Sequence, residues 1–559
     1  MAEARPQLGW PTALGAGGAG RTRDLLLLAL VCGLFLLWRL GHLPLIDPDE
    51  PFYSLSSREM LEAHDWVVPR IFGHPQFEKP AMVYWLMMAS MTAFGRTEAA
   101  QRLPMALAAV VLVFAVYGFG ARHFGRGTGL AAAVVLATGV EFMVTSRLVL
   151  TDTIFALFTS LSCFAVWNGA RAESRGRRWW IAACLCSGLA VLTKGPLGAL
   201  VPALAAGVAV FRGDAPRRAG ASTLAAGAVV FAAVALPWYV VMTQRFGTGF
   251  LRTFLVHENW ERFARAEHTE NDRVYYYLLV LAVGCLPWWP ALAAAVSRAW
   301  SEVRTDRTAA FLWGWIATGV AFFTLAHSKL PTYILFAFVP LSLLVGRAIA
   351  DRDGEVPVAG AVRWSSRLTA LVQAAVFGAA VFVPLLAPVR LALAAVAMVL
   401  AAGAVLLWRG HWTAWAVSTV AASATLIVTL LAWGAPWIET MTSTRTPAAA
   451  VAAALQPDEA LLCERFLVRG LTYYSRLTPV VLAGSPKPYF SPHPLPVVVG
   501  ADGLATFVRE HGRALCLIET RTWRHYRDGV PAGWTATPLL GGEKSLFLIQ
   551  PSAPGVARP

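Results

Sequence analysis

The sequence predicts a mainly α-helical, polytopic membrane protein with a small α/β domain at its C-terminal end. Of its 559 residues, 57% are hydrophobic and only 14% are charged, whereas about a quarter of the residues of a soluble chain are charged. The mean hydropathy is +0.55. Apolar residues also gather in stretches near the length of about 17 to 25 residues that crosses a bilayer core. A single soluble globule is therefore excluded.

Thirteen apolar stretches follow one another along the chain, and we predict each as a membrane helix. The shorter ones suit a locally thinned membrane or a half-helix. The predicted spans lie near 24–41, 104–121, 128–145, 152–169, 179–193, 197–211, 220–241, 276–297, 309–326, 332–350, 368–386, 391–408 and 413–436.

The net charge of +14, from 47 Lys and Arg against 33 Asp and Glu, is better explained by membrane orientation than by a nucleic-acid partner. With the N-terminus in the cytoplasm, every second connection is rich in arginine, as at Arg122 and Arg126 or at Arg298 and Arg304. This is the positive-inside pattern. We therefore predict no binding to nucleic acid.

This orientation divides the chain into three predicted domains. They are a disordered cytoplasmic segment at 1–23, a membrane domain at 24–436 with outer loops at 42–103 and 242–275, and an extracytoplasmic α/β domain at 437–559. Within the first outer loop, Met82–Phe94 is apolar but short. We predict a helix that lies in the membrane interface there.

The C-terminal domain is predicted from short apolar runs separated by polar loops. The runs at 460–463, 479–482, 514–518 and 545–549 read as strands, and 466–474 and 504–510 have helical spacing. Cys463 and Cys516 fall in two of the strands, where buried thiols are favoured over a disulfide. None of the seven cysteines has a metal-type spacing.

Three carboxylates, Asp47, Asp49 and Glu50, lie within four residues just after the first span. Acids this close repel one another and lose solvation at a membrane surface unless a cation or a reaction uses them. The cluster therefore predicts a functional site. The alternative is a solvated turn that ends the helix, because acids with proline are common in turns.

Other polar residues lie on the same predicted side of the membrane. They are Glu78, Lys79, Asp152, Lys194, His257 and Lys329. Each has an ordinary explanation: a lysine can snorkel, an aspartate can cap a helix, and a histidine can be a hydrogen-bonded loop residue. Together, lysines beside arginines suit a phosphate or diphosphate group, and the acids are left to act on a sugar or an acceptor.

Several runs of the sequence resemble those of a known family. DPDEPFYSLSSREMLEAHDWVVPRIFGHPQFEKPAMVYWL, RLVLTDTIFALF, VLTKGPLGALVP, LPWYVVMTQRFGTGFLRTFLVHENWERF and HSKLPTYILFAFVPLSLL occur in order, and ERFLVRGLTYYSRLTPVVL extends the likeness. They resemble the bacterial aminoarabinose transferases and their relatives, the GT-C fold lipid-linked-sugar glycosyltransferases, which include the protein O-mannosyltransferases.

The resemblance implies transfer of a sugar, an aminoarabinose-like pentose or a hexose, with inversion at the anomeric carbon. The donor is a polyprenyl-phosphate-linked sugar on undecaprenyl phosphate. The acceptor is lipid A or another lipid or glycan, at the periplasmic face of the bacterial inner membrane. Within the enzyme class, the alternative is an O-glycosyltransferase that acts on protein or polysaccharide. Outside it, a lipid or solute transporter would place polar groups at the bilayer midplane and show internal repeats.

The resemblance also implies roles for single residues. Asp49, Glu50 and Asp152 are the catalytic candidates, with Asp49 as the catalytic carboxylate. Lys79 holds the carrier phosphate, assisted by Lys194 and Lys329. The further substrate-binding candidates are Tyr53, Arg58, Arg262 and Tyr333. Glu78 and His257 match positions that bind a divalent metal ion in relatives.

One position departs from the family. Aminoarabinose transferases usually read DExRYA, whereas Asp49 and Glu50 are here followed by Pro51 and Phe52. The missing guanidinium would have given a bidentate phosphate contact that a lysine cannot replace in kind. The fold and the reaction class therefore carry over more directly than the substrate.

Overall fold

The structure is a computed structural model that describes residues 18–171, 176–211, 220–265, 269–351, 360–457, 459–485 and 495–552. The helices are α1 (Gly18–Cys32, continued by a π-helical turn at Gly33–Leu37), α2 (Asp49–Glu62), α3 (Met82–Phe94), α4 (Glu98–Phe124), α5 (Arg126–Thr138), α6 (Val140–Thr145), α7 (Thr151–Arg171), α8 (Gly176–Lys194), α9 (Leu197–Phe211), α10 (Ala221–Leu251, continued by a π-helical segment at Arg252–Glu261), α11 (Arg262–Ala264), α12 (Tyr276–Gly284), α13 (Trp289–Thr305), α14 (Arg307–Leu325), α15 (Phe338–Ala350, preceded by a 3-10 helix at Pro331–Ala337), α16 (Gly360–Ala380), α17 (Arg390–Trp408), α18 (Trp412–Ala432), α19 (Ala435–Thr442), α20 (Arg445–Ala454), α21 (Val468–Ser475), α22 (Gly500–His511) and α23 (Thr520–Trp523). The strands are β1 (Arg70–Ile71), β2 (His74–Pro75), β3 (Ala460–Glu464), β4 (Val480–Ala483), β5 (Val497–Val499), β6 (Ala514–Glu519), β7 (Trp534–Leu540) and β8 (Lys544–Pro551).

The chain divides into two compact units whose boundaries differ from the predicted domains. The helical unit comprises Met1–Leu40, Lys79–Val83 and Arg102–Trp433, and the α/β unit comprises Gly41–Glu78, Tyr84–Gln101 and Gly434–Pro559. Most of the predicted first outer loop thus belongs to the same unit as the C-terminal segment. Local sequence patterns could not predict this, because the division depends on contacts between residues several hundred positions apart.

In the helical unit, seven helices among the described residues are long and apolar enough to cross a membrane. They are Glu98–Phe124, Thr151–Arg171, Ala221–Ala264, Arg307–Leu325, Pro331–Ala350, Pro384–Trp408 and Trp412–Ala432. Each of the other predicted spans is also largely helical, in α1, α5 with α6, α8, α9, α12 with α13, and α16. The prediction of a mainly α-helical, multi-pass membrane protein is confirmed.

Two predicted segments of the helical unit differ in detail. The stretch 276–297 is two helices, α12 and α13, because Pro287 and Pro290 lack the amide hydrogen that would continue one helix between them. Residues 18–23, predicted as disordered, form the start of α1. Arg126 pairs with the buried Asp24 and donates to Gly20 O at 2.6 Å, which anchors this turn. Residues 1–17 lie outside the described residues.

Small residues set the helix spacing in this unit. A Cβ on Gly346 of α15 would lie 2.4 Å from the backbone nitrogen of Ala132 in α5, so only glycine fits at this crossing. Close backbone approach through small residues is the usual way that helices associate in a membrane. Gly346 therefore lets the backbones of α5 and α15 pack closely against each other.

The α/β unit is built on a six-stranded sheet with strand order β5-β4-β3-β6-β8-β7. β5, β4, β3 and β6 are parallel, and β8 and β7 complete the edge in antiparallel pairing. Alternate residues of the central strands face two cores. One core includes Ala448 of α20 and Leu471 of α21, and the other includes Leu504 and Val508 of α22. The predicted α/β domain is therefore confirmed as a sheet covered by helices on both faces.

The two cysteines of this unit lie as predicted. Leu462 of β3 is the register partner of Cys516 in β6, so Cys463 and Cys516 are on neighbouring strands. They belong to opposite cores. Both are buried free thiols, which confirms the expectation of packing groups.

Candidate functional site

The candidate catalytic turn, Ile46–Tyr53, lies in the α/β unit, where the acidic cluster starts α2. Glu50 is 1% exposed, and its Oε2 accepts a hydrogen bond from the backbone N–H of Ile46 at 2.8 Å. Asp49, in contrast, is exposed. Both acids occupy the first turn of α2, where the helix dipole stabilises negative charge. Glu50 therefore holds the turn, and Asp49 is the exposed acid of the pair.

Asp47 precedes this turn and is fixed by the C-terminal segment of the same unit. Its Oδ2 accepts the hydroxyl hydrogen of Thr444, and its backbone N–H donates to Thr442 O at 2.9 Å. Burial raises the pKa of Asp47 to about 7, against the lowering effects of Thr444 and the positive charge of Lys544. Lys544 itself donates to the carbonyls of Thr440, Met441 and Ser443. Asp47 is thus a half-buried acid that ties the turn to α19 and α20.

Arg469 of α21 is a buried cation beside the same turn. Its guanidinium lies over the ring of Phe52, 4.5 Å from the ring centroid. Its Nη2 is 3.9 Å from Glu78 Oε1, and both side chains are less than a tenth exposed. Arg469 lies in the run ERFLVRGLTYYSRLTPVVL, but the sequence alone predicted no role for this residue. Its position opposite α2 depends on a contact over more than 400 residues, which no local pattern signals.

Tyr53 and Glu78 are placed by an aromatic and hydrogen-bonded network. The ring of Tyr53 lies 6.1 Å from that of Tyr84, whose hydroxyl accepts from Gln76 Nε2 at 2.6 Å. Gln76 Oε1 in turn accepts the backbone N–H of Glu78 at 2.9 Å. The network fixes the backbone immediately before Lys79.

Arg58, a predicted substrate-binding residue, anchors α2 to α21. Its Nη1 donates to Tyr473 O at 2.8 Å, and its guanidinium stacks on the Tyr473 ring at 5.0 Å. Burial lowers the pKa of Arg58. Gln101 Nε2 also donates to the Tyr473 hydroxyl at 2.6 Å. These contacts fix Arg58 between α2 and α21, and its role in substrate binding stays a prediction.

In the helical unit, two cations converge on one buried carboxylate. Glu258 Oε2 lies 3.5 Å from Lys79 Nζ and 3.0 Å from Arg262 Nη1. The Glu258 side chain is 1% exposed, and those of Lys79 and Arg262 are 16% and 20% exposed. Lys79 and Arg262 were predicted, but Glu258 was not. The signal for it was the spacing of Glu258 and Arg262 by four residues on one helical face.

Asp152 and Lys194 form a second ion pair of the helical unit. Lys194 Nζ lies 2.5 Å from Asp152 Oδ1, with both side chains at most 10% exposed. The ammonium also faces the ring of Tyr333 at 4.5 Å and that of Phe155 at 5.5 Å. Three predicted residues are thus brought together. One carboxylate and two ring faces therefore surround the buried ammonium.

Lys329, predicted to assist at the phosphate, is 2% exposed and forms an ion pair with Asp272. His327 Nδ1 lies 2.8 Å from the other oxygen of Asp272. The hydrogen bonds from Lys329 and His327 lower the pKa of Asp272. Asp272, which sequence reasoning did not single out, therefore anchors the segment before Pro331.

The predicted metal ligands have other partners. His257 Nδ1 lies 2.7 Å from Glu261 Oε2, and Glu78 approaches Arg469. In the described part of the chain, no group of three or more His, Cys, Asp and Glu side chains could hold a metal ion. Divalent sites need several such ligands. The residues that the structure describes therefore do not fit a bound metal ion.

The helical membrane unit and the α/β unit define a multi-pass membrane protein with the GT-C fold. The fold is that of the crystal structure of ArnT from Cupriavidus metallidurans bound to undecaprenyl phosphate, with a TM-score of 0.74 over 97% of this chain and 100% of that chain. The two sequences are 21% identical. The crystal structure of the same protein in the apo state also gives a TM-score of 0.74.

The chain is also similar in sequence to arabinosyl transferases. The chain is 35% identical over 339 residues to the undecaprenyl phosphate-alpha-4-amino-4-deoxy-L-arabinose arabinosyl transferase of Pseudomonas aeruginosa, covering 59% of this chain and 60% of that protein. It is 32% identical over 370 residues to a second such transferase, from Pseudomonas fluorescens, covering 65% and 62%. The chain thus spans about 60% of the length of the curated relatives that it matches. Residues 78–241 match the family described as dolichyl-phosphate-mannose-protein mannosyltransferase.

Proposed function

We propose that this protein is a glycosyltransferase that moves a sugar from an undecaprenyl-phosphate carrier to lipid A or another cell-envelope acceptor. The sugar is an aminoarabinose-like pentose or a hexose. The observation that supports this best is the pair of cations, Lys79 and Arg262, on the single carboxylate of Glu258. The donor class is supported by the relatives, which are undecaprenyl phosphate-alpha-4-amino-4-deoxy-L-arabinose arabinosyl transferases.

The cation pair suits a phosphate group for an electrostatic reason. Lys79 and Arg262 bring two cationic side chains to one place, and neither is more than 20% exposed. Charge-assisted hydrogen bonds from arginine and lysine to phosphate are short and strong. Glu258 keeps both side chains in place before the donor binds, so a donor phosphate would meet two positioned hydrogen-bond donors.

Asp49 is the proposed catalytic carboxylate, because it is the exposed acid of the turn that begins α2. If the acceptor is a hydroxyl, Asp49 removes its proton as general base while the hydroxyl oxygen attacks the anomeric carbon. If the acceptor is a lipid A phosphate, its oxygen is already ionised. Asp49 then orients the acceptor and balances the positive charge that develops at the anomeric carbon.

Asp152 and Lys194 are proposed to support the donor site. Lys194 is held by Asp152 and Tyr333, so its ammonium could bind a nearby anion without a change in the side chain's position. We assign Lys329 to structure, because it is almost fully buried against Asp272. The proposed location is the bacterial inner membrane, with the α/β unit on the periplasmic side.

The test is transfer from labelled undecaprenyl-phosphate aminoarabinose to lipid A by purified protein, with mass spectrometry of lipid A from cells with and without the gene. Asp49→Ala should leave the protein folded and abolish transfer. Asp49→Asn should lower the transfer rate about 10²–10⁴-fold if Asp49 is a general base. The rate should fall much less if the acceptor is a phosphate. Asp528→Ala, an exposed acid of the same unit with 85% side-chain exposure, is the matched control.

Full transfer by Asp49→Ala would refute the catalytic assignment. An unchanged lipid A in cells that lack the gene would refute lipid A as the acceptor. The match of residues 78–241 to a protein mannosyltransferase family supports the second candidate, O-glycosylation of protein. Label recovered in the protein fraction would favour that candidate. Movement of a solute without consumption of the carrier sugar would favour a transporter.

A further inference from the structure

The contact between Phe52 and Arg469 joins the candidate catalytic turn to α21. The guanidinium carbon lies 4.5 Å from the centroid of the Phe52 ring, inside the range of a cation–π interaction. Phe52 is 3% exposed and Arg469 is 3% exposed. The ring also packs edge-on against Tyr53, with centroids 5.0 Å apart. The stack is therefore a buried, fixed feature of the α/β unit.

A buried arginine is a costly choice for a purely structural contact. Removing a guanidinium from water costs several kcal/mol, and an apolar residue at position 469 would pack on Phe52 without that cost. Burial lowers the pKa of Arg469, whereas the negative charges of Glu78 and Asp49 raise it. The other ionisable groups that act on it are the hydroxyls of Tyr53 and Tyr84. Arg469 therefore interacts electrostatically with Glu78 and Asp49, the acids of the candidate site.

The two members of the stack come from distant parts of the chain. Phe52 belongs to the turn that begins α2, and Arg469 belongs to α21. In this chain the guanidinium comes from α21 and lies on the face of the phenyl ring. A positive charge is therefore present next to the turn, but it is supplied by the C-terminal segment.

We propose that Arg469 is a positioning residue for sugar transfer, because it holds the turn that presents Asp49 through the Phe52 ring and places a fixed guanidinium beside Glu78. This inference rests on the proposed function. Arg469 acts through Phe52, Glu78 and Asp49 and need not touch the substrate. Its effect belongs to the catalytic step and not to the binding of the carrier phosphate, which we assign to Lys79 and Arg262.

The test compares Arg469→Phe, Arg469→Lys and the exchanged pair Phe52→Arg with Arg469→Phe. Each is assayed with labelled undecaprenyl-phosphate aminoarabinose and lipid A, and its thermal unfolding midpoint is measured. Arg469→Phe should lower kcat at least tenfold and change KM for the donor less than about threefold. Arg469→Lys keeps the charge but loses the planar stack, so its kcat should lie between those of Arg469→Phe and wild type. The exchanged pair restores one ring and one guanidinium and should recover most of the lost kcat.

Arg521→Met is the matched control, because Arg521 is an arginine of the same unit with 79% side-chain exposure and pairs with Glu519. It should keep the wild-type kcat. Wild-type kcat in folded Arg469→Phe, or an exchanged pair no better than Arg469→Phe, would overturn the inference. If Arg469→Phe does not fold, Arg469→Lys decides, and wild-type kcat in that variant overturns the inference. A wild-type protein that transfers no sugar would refute the proposed function itself.

Discussion

Asp47 and Asp49 are two residues apart and have opposite environments. Asp49 is exposed at the start of α2, whereas Asp47 is held by Thr444 and by the backbone of Thr442. The enclosed acid fixes the turn, and the exposed acid is the one that we propose acts on the acceptor. The acid cluster in the sequence predicts that a site is present here, but the environment of each acid follows from residues about 400 positions later.

The raised pKa of Asp47 has a consequence for stability. Its pKa is about 7 in the folded protein against an ordinary value of 3.8, so the folded state binds the proton more tightly than the unfolded state. The stabilisation from protonated Asp47 is fully present below about pH 4 and is lost as the pH rises to about 7. Wild-type stability should therefore fall over this window relative to a variant with a neutral side chain.

Asp47→Asn tests this point, because asparagine has nearly the same shape and does not ionise. At pH 8 the variant should be more stable than wild type by about 1–2 kcal/mol after allowance for solvent screening. At pH 4 the two proteins should be alike. The measurement is the thermal unfolding midpoint in detergent from pH 4 to pH 8. A difference that does not change with pH would show that Asp47 does not titrate in this window.

At the scale of elements, α21 organises the candidate turn from one short helix. It contributes Arg469 over Phe52 and the Tyr473 carbonyl to Arg58. Between them, Gly470 leaves room for Asp47: a Cβ on Gly470 would lie 2.2 Å from Asp47 Oδ1 and 3.0 Å from the Cβ of Thr444. Glycine at this position lets the Asp47 carboxyl reach Thr444.

Gly470→Ala should therefore displace Asp47 and weaken the contact of α21 with the turn. Overpacking of this kind costs about 1–3 kcal/mol, and transfer activity should fall along with stability because the turn carries Asp49. Gly541→Ala is the control, since no heavy atom lies within 4 Å of its ideal Cβ. Unfolding midpoints and kcat of the two variants give the comparison. Equal unfolding midpoints and equal kcat in Gly470→Ala and Gly541→Ala would mean that the Asp47 carboxyl moves aside without an effect on stability or activity.

The elements that the sequence predicted well are those with strong local patterns. The apolar runs gave the membrane helices and the strands β3, β4, β6 and β8. Two strands of the six-stranded sheet were missed: β5 has three residues, and β7 is an edge strand with Pro538 at an irregular position. The candidate site residues differ in the same way. Lys79 and Asp49 stand in local motifs, and their roles stay predictions, whereas Asp272 and Arg469 were not singled out because their partners are distant in the sequence or belong to other elements.

For the whole molecule, the composition of the α/β unit changes the view of the C-terminal segment. This unit combines Gly41–Glu78, Tyr84–Gln101 and Gly434–Pro559. The first segment is joined to the last through Leu45 N–H to the Tyr474 hydroxyl at 2.7 Å, and through Asp47 to Thr444. The C-terminal segment is thus part of the fold that presents the candidate acids and not an independent domain attached after the membrane helices.

This arrangement predicts the effect of removing the C-terminal segment. A chain truncated after Trp433 loses Arg469, Tyr473 and Thr444, so α2 keeps few of its buried partners. The backbone amides of α2 should exchange hydrogen much faster in the truncated chain than in the full chain, because protection follows the stability of the local structure. Transfer activity should be lost even though Asp49, Lys79 and Lys194 are all retained.

Hydrogen exchange of both chains in detergent measures this directly, with α7 (Thr151–Arg171) of the helical unit as the internal reference. α7 is largely buried by helices that the truncation leaves intact, so its exchange should change little. Equal protection of α2 in the two chains would show that the first outer segment folds on its own. The candidate catalytic turn would then depend on residues 41–101 alone, and the roles given to Arg469 and Thr444 would fail with it.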